Sequence, residues 1–165
     1  MHPASLKAMK KFIDDYLQNK TDLIILDVGS YDVNGNYRYL FQQKGWTYVG
    51  GDIKPGPNVD IVFNNMYNWD IESKFFDVVI SGQAIEHIQD MKQWIIEVSR
   101  IIKVGGILCI ITPWQFPIHR FPIDCWRILP DGMTWLLRDA GKLDILNIYM
   151  AEDDIIGIAR KPEIQ

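Results

Sequence analysis

The sequence predicts a three-layer α/β fold built on a mostly parallel sheet. Three observations carry this. Continuous apolar runs recur, each of strand length; amphipathic repeats of helical period alternate with them; and the chain closes on a hairpin pattern. At 165 residues the chain is long enough to bury a full core as one domain, so a single domain over residues 1–165 is expected.

Leu6, Met9, Phe12, Ile13, Tyr16 and Leu17 recur at helical spacing, with Lys7, Lys10, Lys11, Asp14 and Asp15 on the other face. Residues 1–20 therefore read as an N-terminal helix. Leu23 to Asp27 is apolar until its last residue, as in a strand buried on both faces. Ser30 to Asn36 is a polar, turn-rich loop, and Tyr37 to Lys44 is a short helix stopped by Gly45. Thr47 to Asp52 is a second strand that also ends in an acid. Lys54-Pro55-Gly56-Pro57 is a loop by its breakers. Val59 to Phe63 and Phe76 to Ser81 are the third and fourth strands. Met91, Trp94, Ile95, Val98, Ile101 and Ile102 make the apolar face of a helix, which Gly105-Gly106 is expected to end. Ile107 to Ile111 is the fifth strand. Asp131 to Ala140 reads as a helix closed by Gly141, with Trp135, like Trp94, on its apolar face. Leu143 to Met150 and Ile155 to Arg160 then pair across the link Glu152-Asp153-Asp154 as an antiparallel hairpin.

Composition excludes several classes. Net charge is −4 with no Lys/Arg-rich stretch, which argues against a nucleic-acid groove. No apolar run is long enough to span a bilayer, and no signal-peptide h-region opens the chain, so a cytoplasmic protein is expected. The two cysteines, Cys109 and Cys125, lack metal spacing, and no metal site is expected. Cys109 lies inside an apolar run and reads as core.

Right-handed crossovers would bring Asp27 and Gly29, Asp52, Asn64 and Asn65, Ser81, and Pro113 and Trp114 to one rim, because each follows the end of a strand. Open α/β sheets bind ligands there. A dinucleotide needs a glycine-rich turn for its pyrophosphate. Here only Gly29 and Gly35 are available, with Tyr31 and Val33 between them. The bulky loop, and an acid just before Gly29, suit a ligand without a pyrophosphate and with an ammonium group. Asp52 could accept both hydroxyls of a ribose in either ligand.

Leu26-Asp27-Val28-Gly29-Ser30, Val49-Gly50-Gly51-Asp52-Ile53, Phe76 to Ser81 with Ile85-Glu86-His87-Ile88, and Val98 to Gly106 resemble successive motifs of class I S-adenosylmethionine-dependent methyltransferases, specifically the small type 11 domains. The resemblance covers roughly residues 23–160. It implies a Rossmann-like three-layer fold with a seven-stranded sheet whose last strand is antiparallel. S-adenosylmethionine would be the cofactor and S-adenosylhomocysteine its product. Asp27, Gly29 and Ser30 match the motif that holds the methionine end. Asp52 matches the ribose-binding acid and Ile53 the apolar residue beside the adenine. Asn65 stands where the family often has an adenine-binding acid, and its side-chain oxygen can accept the same bond. Met66 follows it, and Ser81 and Gln83 would lie beneath the sulfonium. Tyr31 and Val33 depart from the usual glycines.

His87 and His119 are the candidate general bases for an amine or hydroxyl acceptor. Residues 114–130 form a long aromatic and charged segment that reads as substrate-binding, lid-forming, or both. Trp114, Arg120, Asp124, Trp126 and Arg127 are its candidate acceptor residues, suited to a sugar or a small acid. An internal Arg–Asp pair would instead make the segment a rigid lid. Similar segments occur in methyltransferases tied to sugar or polysaccharide synthesis, so a small-molecule or glycan acceptor is expected. Without a further insert, acceptor specificity is expected to draw on a partner subunit or a homodimer. A catalytically silent binding module and an NAD-dependent oxidoreductase remain the alternatives.

Overall fold

The computed structural model describes residues 3–163. Seven strands form one sheet: β1 (Ile24–Val28), β2 (Thr47–Asp52), β3 (Ile61–Val62), β4 (Phe76–Gly82), β5 (Ile102–Pro113), β6 (Asp144–Ala151) and β7 (Asp154–Arg160). Their order is β3-β2-β1-β4-β5-β7-β6. Every pairing from β3 across to β5 is parallel, and β7 runs antiparallel to both β5 and β6. The expected architecture, with its antiparallel last strand, is the one observed. Among the described residues no helix is long and apolar enough to cross a membrane.

The apolar runs are continuous because the central strands are covered on both faces. Leu26 and Val28 of β1 join one core cluster, while Ile25 joins the other. Helix α1 (Pro3–Tyr16) packs its Met9, Phe12 and Ile13 on one face, together with α2 (Arg38–Gln42). The expected helix over residues 1–20 is thus shorter, and residues 1–2 lie outside the described range. Helix α3 (Met91–Ile101) covers the other face with Trp94, Ile95, Val98 and Ile101. Asp90 caps it, its carboxylate accepting the Gln93 N–H at 2.9 Å.

Four local expectations are corrected. Strand β3 keeps only Ile61–Val62 of the expected Val59–Phe63. Val59 closes a turn onto the Gly56 carbonyl, and the Asp60 carboxylate is taken by the Gly50 N–H and by Arg38. Gly105-Gly106 does not end α3; the helix stops at Ile101 and the glycines lie inside β5. There the register against β4 slips between Phe76 and Val78, and Gly105 turns at φ +75° to donate its N–H to the Lys161 carbonyl. The last helix is two pieces: α4 (Pro130–Thr134) runs into a π-helical turn over Trp135–Ala140. Gly141 closes it at φ −79°, so the glycine answers close packing rather than a left-handed cap. A Cβ there would come within 2.9 Å of Ile95. Trp135, finally, is 45% exposed, whereas Trp94 is buried.

Candidate functional site

The strand order reverses direction at β1 and β4, and a cavity of about 410 Å³ opens at their carboxyl ends. Asp27, Gly29, Ser30, Asp52, Ile53 and Met66 line it, as do Gln83 and both rim histidines, His87 and His119. Asn65 and Ser81 do not. The Asn65 side-chain oxygen accepts the Tyr67 N–H at 2.7 Å, a local turn, and the Ser81 hydroxyl donates to the Val28 carbonyl at 2.8 Å, joining β4 to β1.

Gly29 leaves β1 at φ +83°, and its N–H bonds the Gly51 carbonyl at 2.9 Å. A Cβ on it would stand 2.4 Å from the Ala84 Cβ, so the turn needs glycine on two counts. Asp27 is buried below this turn and accepts the Tyr48 hydroxyl. Burial pushes its carboxyl up to about 7, against the opposing effect of the Tyr48 bond and the nearby Arg38. Asp52 closes the other end: its carboxylate accepts the Tyr31 N–H at 3.1 Å and the Lys54 N–H at 3.0 Å. Lone pairs remain on both oxygens for a ligand.

The loop after Gly29 holds its shape without further consecutive glycines. One carboxylate, Asp32, accepts the Gly35 N–H and the Asn36 side-chain amide, each at 2.6 Å. Tyr31 packs its ring over Gly56, where a Cβ would come within 2.3 Å of it. Two aromatic residues were not read as site residues: Phe63, taken only as the last residue of a strand, and Trp69. Phe63 and Trp69 stack with centroids 4.4 Å apart against the cavity, and the buried Trp69 ring N–H has no hydrogen-bond partner. Phe63 follows β3 directly and Trp69 lies in the irregular stretch after it, where no periodic pattern marks a ligand-facing ring.

Most of the charged segment turns away from the cavity. Arg127 forks onto Asp124 at 2.6 and 2.8 Å and also donates to the Phe116, Pro117 and Trp126 carbonyls. This fork holds the Asp124 carboxyl below the usual carboxylate range. Trp126 donates to the Ile88 carbonyl at 2.6 Å, and Trp114 to the Glu152 carbonyl at 2.8 Å. None of Trp114, Asp124, Trp126 and Arg127 lines the cavity, which corrects the expectation of an acceptor-binding fork. Of the candidate acceptor residues only Arg120 reaches the rim, beside Phe121 and Pro122.

His87 and His119 are brought edge to face, centroids 5.1 Å apart. His87 lies in a 3₁₀ turn over Ile85–His87, where its Nδ1 meets the Ile123 carbonyl. Between the two rings lies Glu86, fully buried, its Oε1 at 3.8 Å from His87 Nε2 and 3.7 Å from His119 Nε2. Its other oxygen accepts the Thr112 hydroxyl at 3.0 Å. The sequence reading placed Glu86 only within a motif.

A methyltransferase domain family profile matches residues 26–110. A probable S-adenosylmethionine-dependent methyltransferase of Mycobacterium tuberculosis is 29% identical over 97 residues, covering 54% of this chain and 35% of that protein. The chain thus spans about a third of the length of such curated relatives. An S-adenosylmethionine-dependent methyltransferase structure from Methanosarcina mazei superposes with a TM-score of 0.73 at 16% identity, covering 99% of both chains. The 1,6-didemethyltoxoflavin-N1-methyltransferase of Burkholderia thailandensis, with its ligand and S-adenosylhomocysteine bound, reaches 0.77 at 14% identity, covering 97% of this chain and 79% of that one. At such identities the two structures speak to the fold.

Proposed function

This chain belongs to the methyltransferase domain family, and on that premise we propose that it moves a methyl group from S-adenosylmethionine to a small-molecule or glycan acceptor. One observation carries the reading: Asp27 and Asp52, at the carboxyl ends of two adjacent parallel strands, border one cavity at the sheet's switch point.

The residues present fit that cofactor. Asp52 keeps acceptor capacity for two ribose hydroxyls. Ile53, Met66 and Phe63 offer an apolar wall for a base, with the unpartnered Trp69 N–H beside it. Asp27 offers a carboxyl to an ammonium, under a Gly29 turn with no side chain in the way. When bound, the sulfonium supplies an activated methyl group.

The protein's own part is positional. The Gly29 turn and the Asp52 carboxylate hold the two ends of the cofactor, and Phe121 and Pro122 add apolar surface to the cavity lining. His87 and His119 border the space an acceptor must enter, where its proton has to leave. The glycan reading draws on the aromatic, Arg120-bearing rim.

Calorimetry tests the proposal. S-adenosylmethionine and S-adenosylhomocysteine are expected to bind and NAD is not. Asp52→Ala is expected to weaken both adenosyl ligands about 100-fold, as for loss of hydrogen bonds to a charged group. A folded protein that binds neither adenosyl ligand overturns the reading.

A further inference from the structure

Glu86 presents an anomaly that the cofactor cradle does not absorb. Its carboxylate is fully buried, one oxygen is held by Thr112, and the other has no hydrogen-bond partner. Buried polar groups are almost always paired, so an orphaned carboxylate oxygen asks for a ligand. That oxygen faces two imidazole nitrogens, at 3.7 and 3.8 Å. The three candidate donor atoms lie within 4.8 Å of one another. Donors about 2.0–2.1 Å from a tetrahedral zinc ion stand roughly 3.4 Å apart, so small side-chain adjustments close the set.

We propose that Glu86 Oε1, His87 Nε2 and His119 Nε2 bind a first-row divalent cation, zinc before others, at the wall of the cavity. The outer contacts already set the required tautomers. His87 Nδ1 meets the Ile123 carbonyl, which can only accept, so Nδ1 carries a hydrogen and, in the neutral ring, the lone pair is on Nε2. His119 Nδ1 faces the Pro117 carbonyl at 3.3 Å and the Asp124 carboxylate at 3.4 Å, with the same consequence. Thr112 orients Glu86 from behind. Metal-binding histidines characteristically donate their other N–H to a carbonyl or carboxylate in this way. Two imidazoles and one carboxylate favour zinc, iron or cobalt over magnesium or calcium. Three protein ligands leave a coordination position open, as catalytic rather than structural sites do.

Two consequences follow. The cation ties the 114–130 segment, through His119, to the end of β4, through Glu86 and His87. His87 and His119 also line the cavity, so the open position adjoins the acceptor's space. Resting on the methyl-transfer reading, this favours an acceptor that ligates through an oxygen, its hydroxyl acidified by the cation rather than deprotonated by an imidazole.

The test is metal binding itself, read without any adenosyl ligand. Chelator-stripped protein of residues 1–165 is titrated with Zn²⁺ against a chromophoric competitor, and with Co²⁺ followed by its visible absorption. One equivalent of each, with the intense cobalt bands of four-coordinate geometry, is expected. Glu86→Gln and His119→Ala should each weaken binding at least about tenfold. His119 is on the surface segment, so its variant keeps the test valid should Glu86→Gln misfold. A folded protein that binds no stoichiometric zinc or cobalt overturns the proposal, as does binding that both variants leave unchanged. Failure of the methyl-transfer reading would appear separately, as absent adenosyl binding by calorimetry.

Discussion

The two walls of the cavity handle charge in opposite ways. On the strand-end wall, Asp27 and Asp52 reach the cavity because the sheet already satisfies their backbones and fixes where each strand stops. On the wall made by residues 114–130 there is no sheet. Apart from Arg120 at the rim, its charges are turned inward to order the chain, with Arg127 satisfying Asp124 and three carbonyls. The same residue types therefore border the cavity on one wall and order the chain itself on the other. Backbone hydrogen bonding is the difference: a segment without ladder partners needs side chains to supply them.

The pH dependence of stability should set the two walls furthest apart. The Asp27 carboxyl lies at about 7 in the folded protein, above its range in an unfolded chain. The folded state thus holds a proton that the unfolded state has lost. Its contribution is complete below about pH 4 and is lost as pH rises through about 7, by at most about 4 kcal/mol. Glu86 is raised to about 7 as well and has the same sign. Comparing denaturation curves of the parent and Asp27→Asn isolates the Asp27 share, and a parallel pH dependence in both would break the contrast. Asp124 runs the other way: held below the usual range by Arg127, it contributes above about pH 4 and is lost in acid.

Gly29→Ala should damage the strand-end wall by about 3 kcal/mol, since it combines a left-handed φ with a Cβ 2.4 Å from Ala84. Chemical denaturation and adenosyl-ligand calorimetry should show stability and binding falling together. Asp124→Ala should cost about 2 kcal/mol by releasing the Arg127 fork, and should speed proteolysis within residues 114–130. Adenosyl affinity should change less than about threefold. A large loss of affinity would mean that the segment, not the strand ends, holds the cofactor.

Much of the fold was legible because burial on both faces leaves a mark that local sequence carries. The runs 24–26, 78–80 and 107–111 within β1, β4 and β5 are continuous and apolar, and Thr47–Asp52 was read to its ends. Asp27 and Asp52 were legible as strand-terminal acids. The π-helical turn left no such mark, because its widened hydrogen bonds answer to packing of Leu136 and Leu137 against the sheet. Gly105-Gly106 looked like a helix stop because glycine reports a backbone need, not which element has it. Trp135 and Trp94 share a residue type and a helical setting, yet only Trp94 is turned inward.

By itself the sequence determined the order of strands and helices and the acids at the strand ends, since periodicity and turn chemistry act over a few neighbouring residues. Tertiary structure alone decided which charges border the cavity and which meet each other. Arg127 found Asp124 three residues away, while His119 crossed 33 positions to face Glu86 beside His87. The reason is that such encounters depend on how the segment folds back over the sheet edge, a path set by the whole core rather than by local sequence.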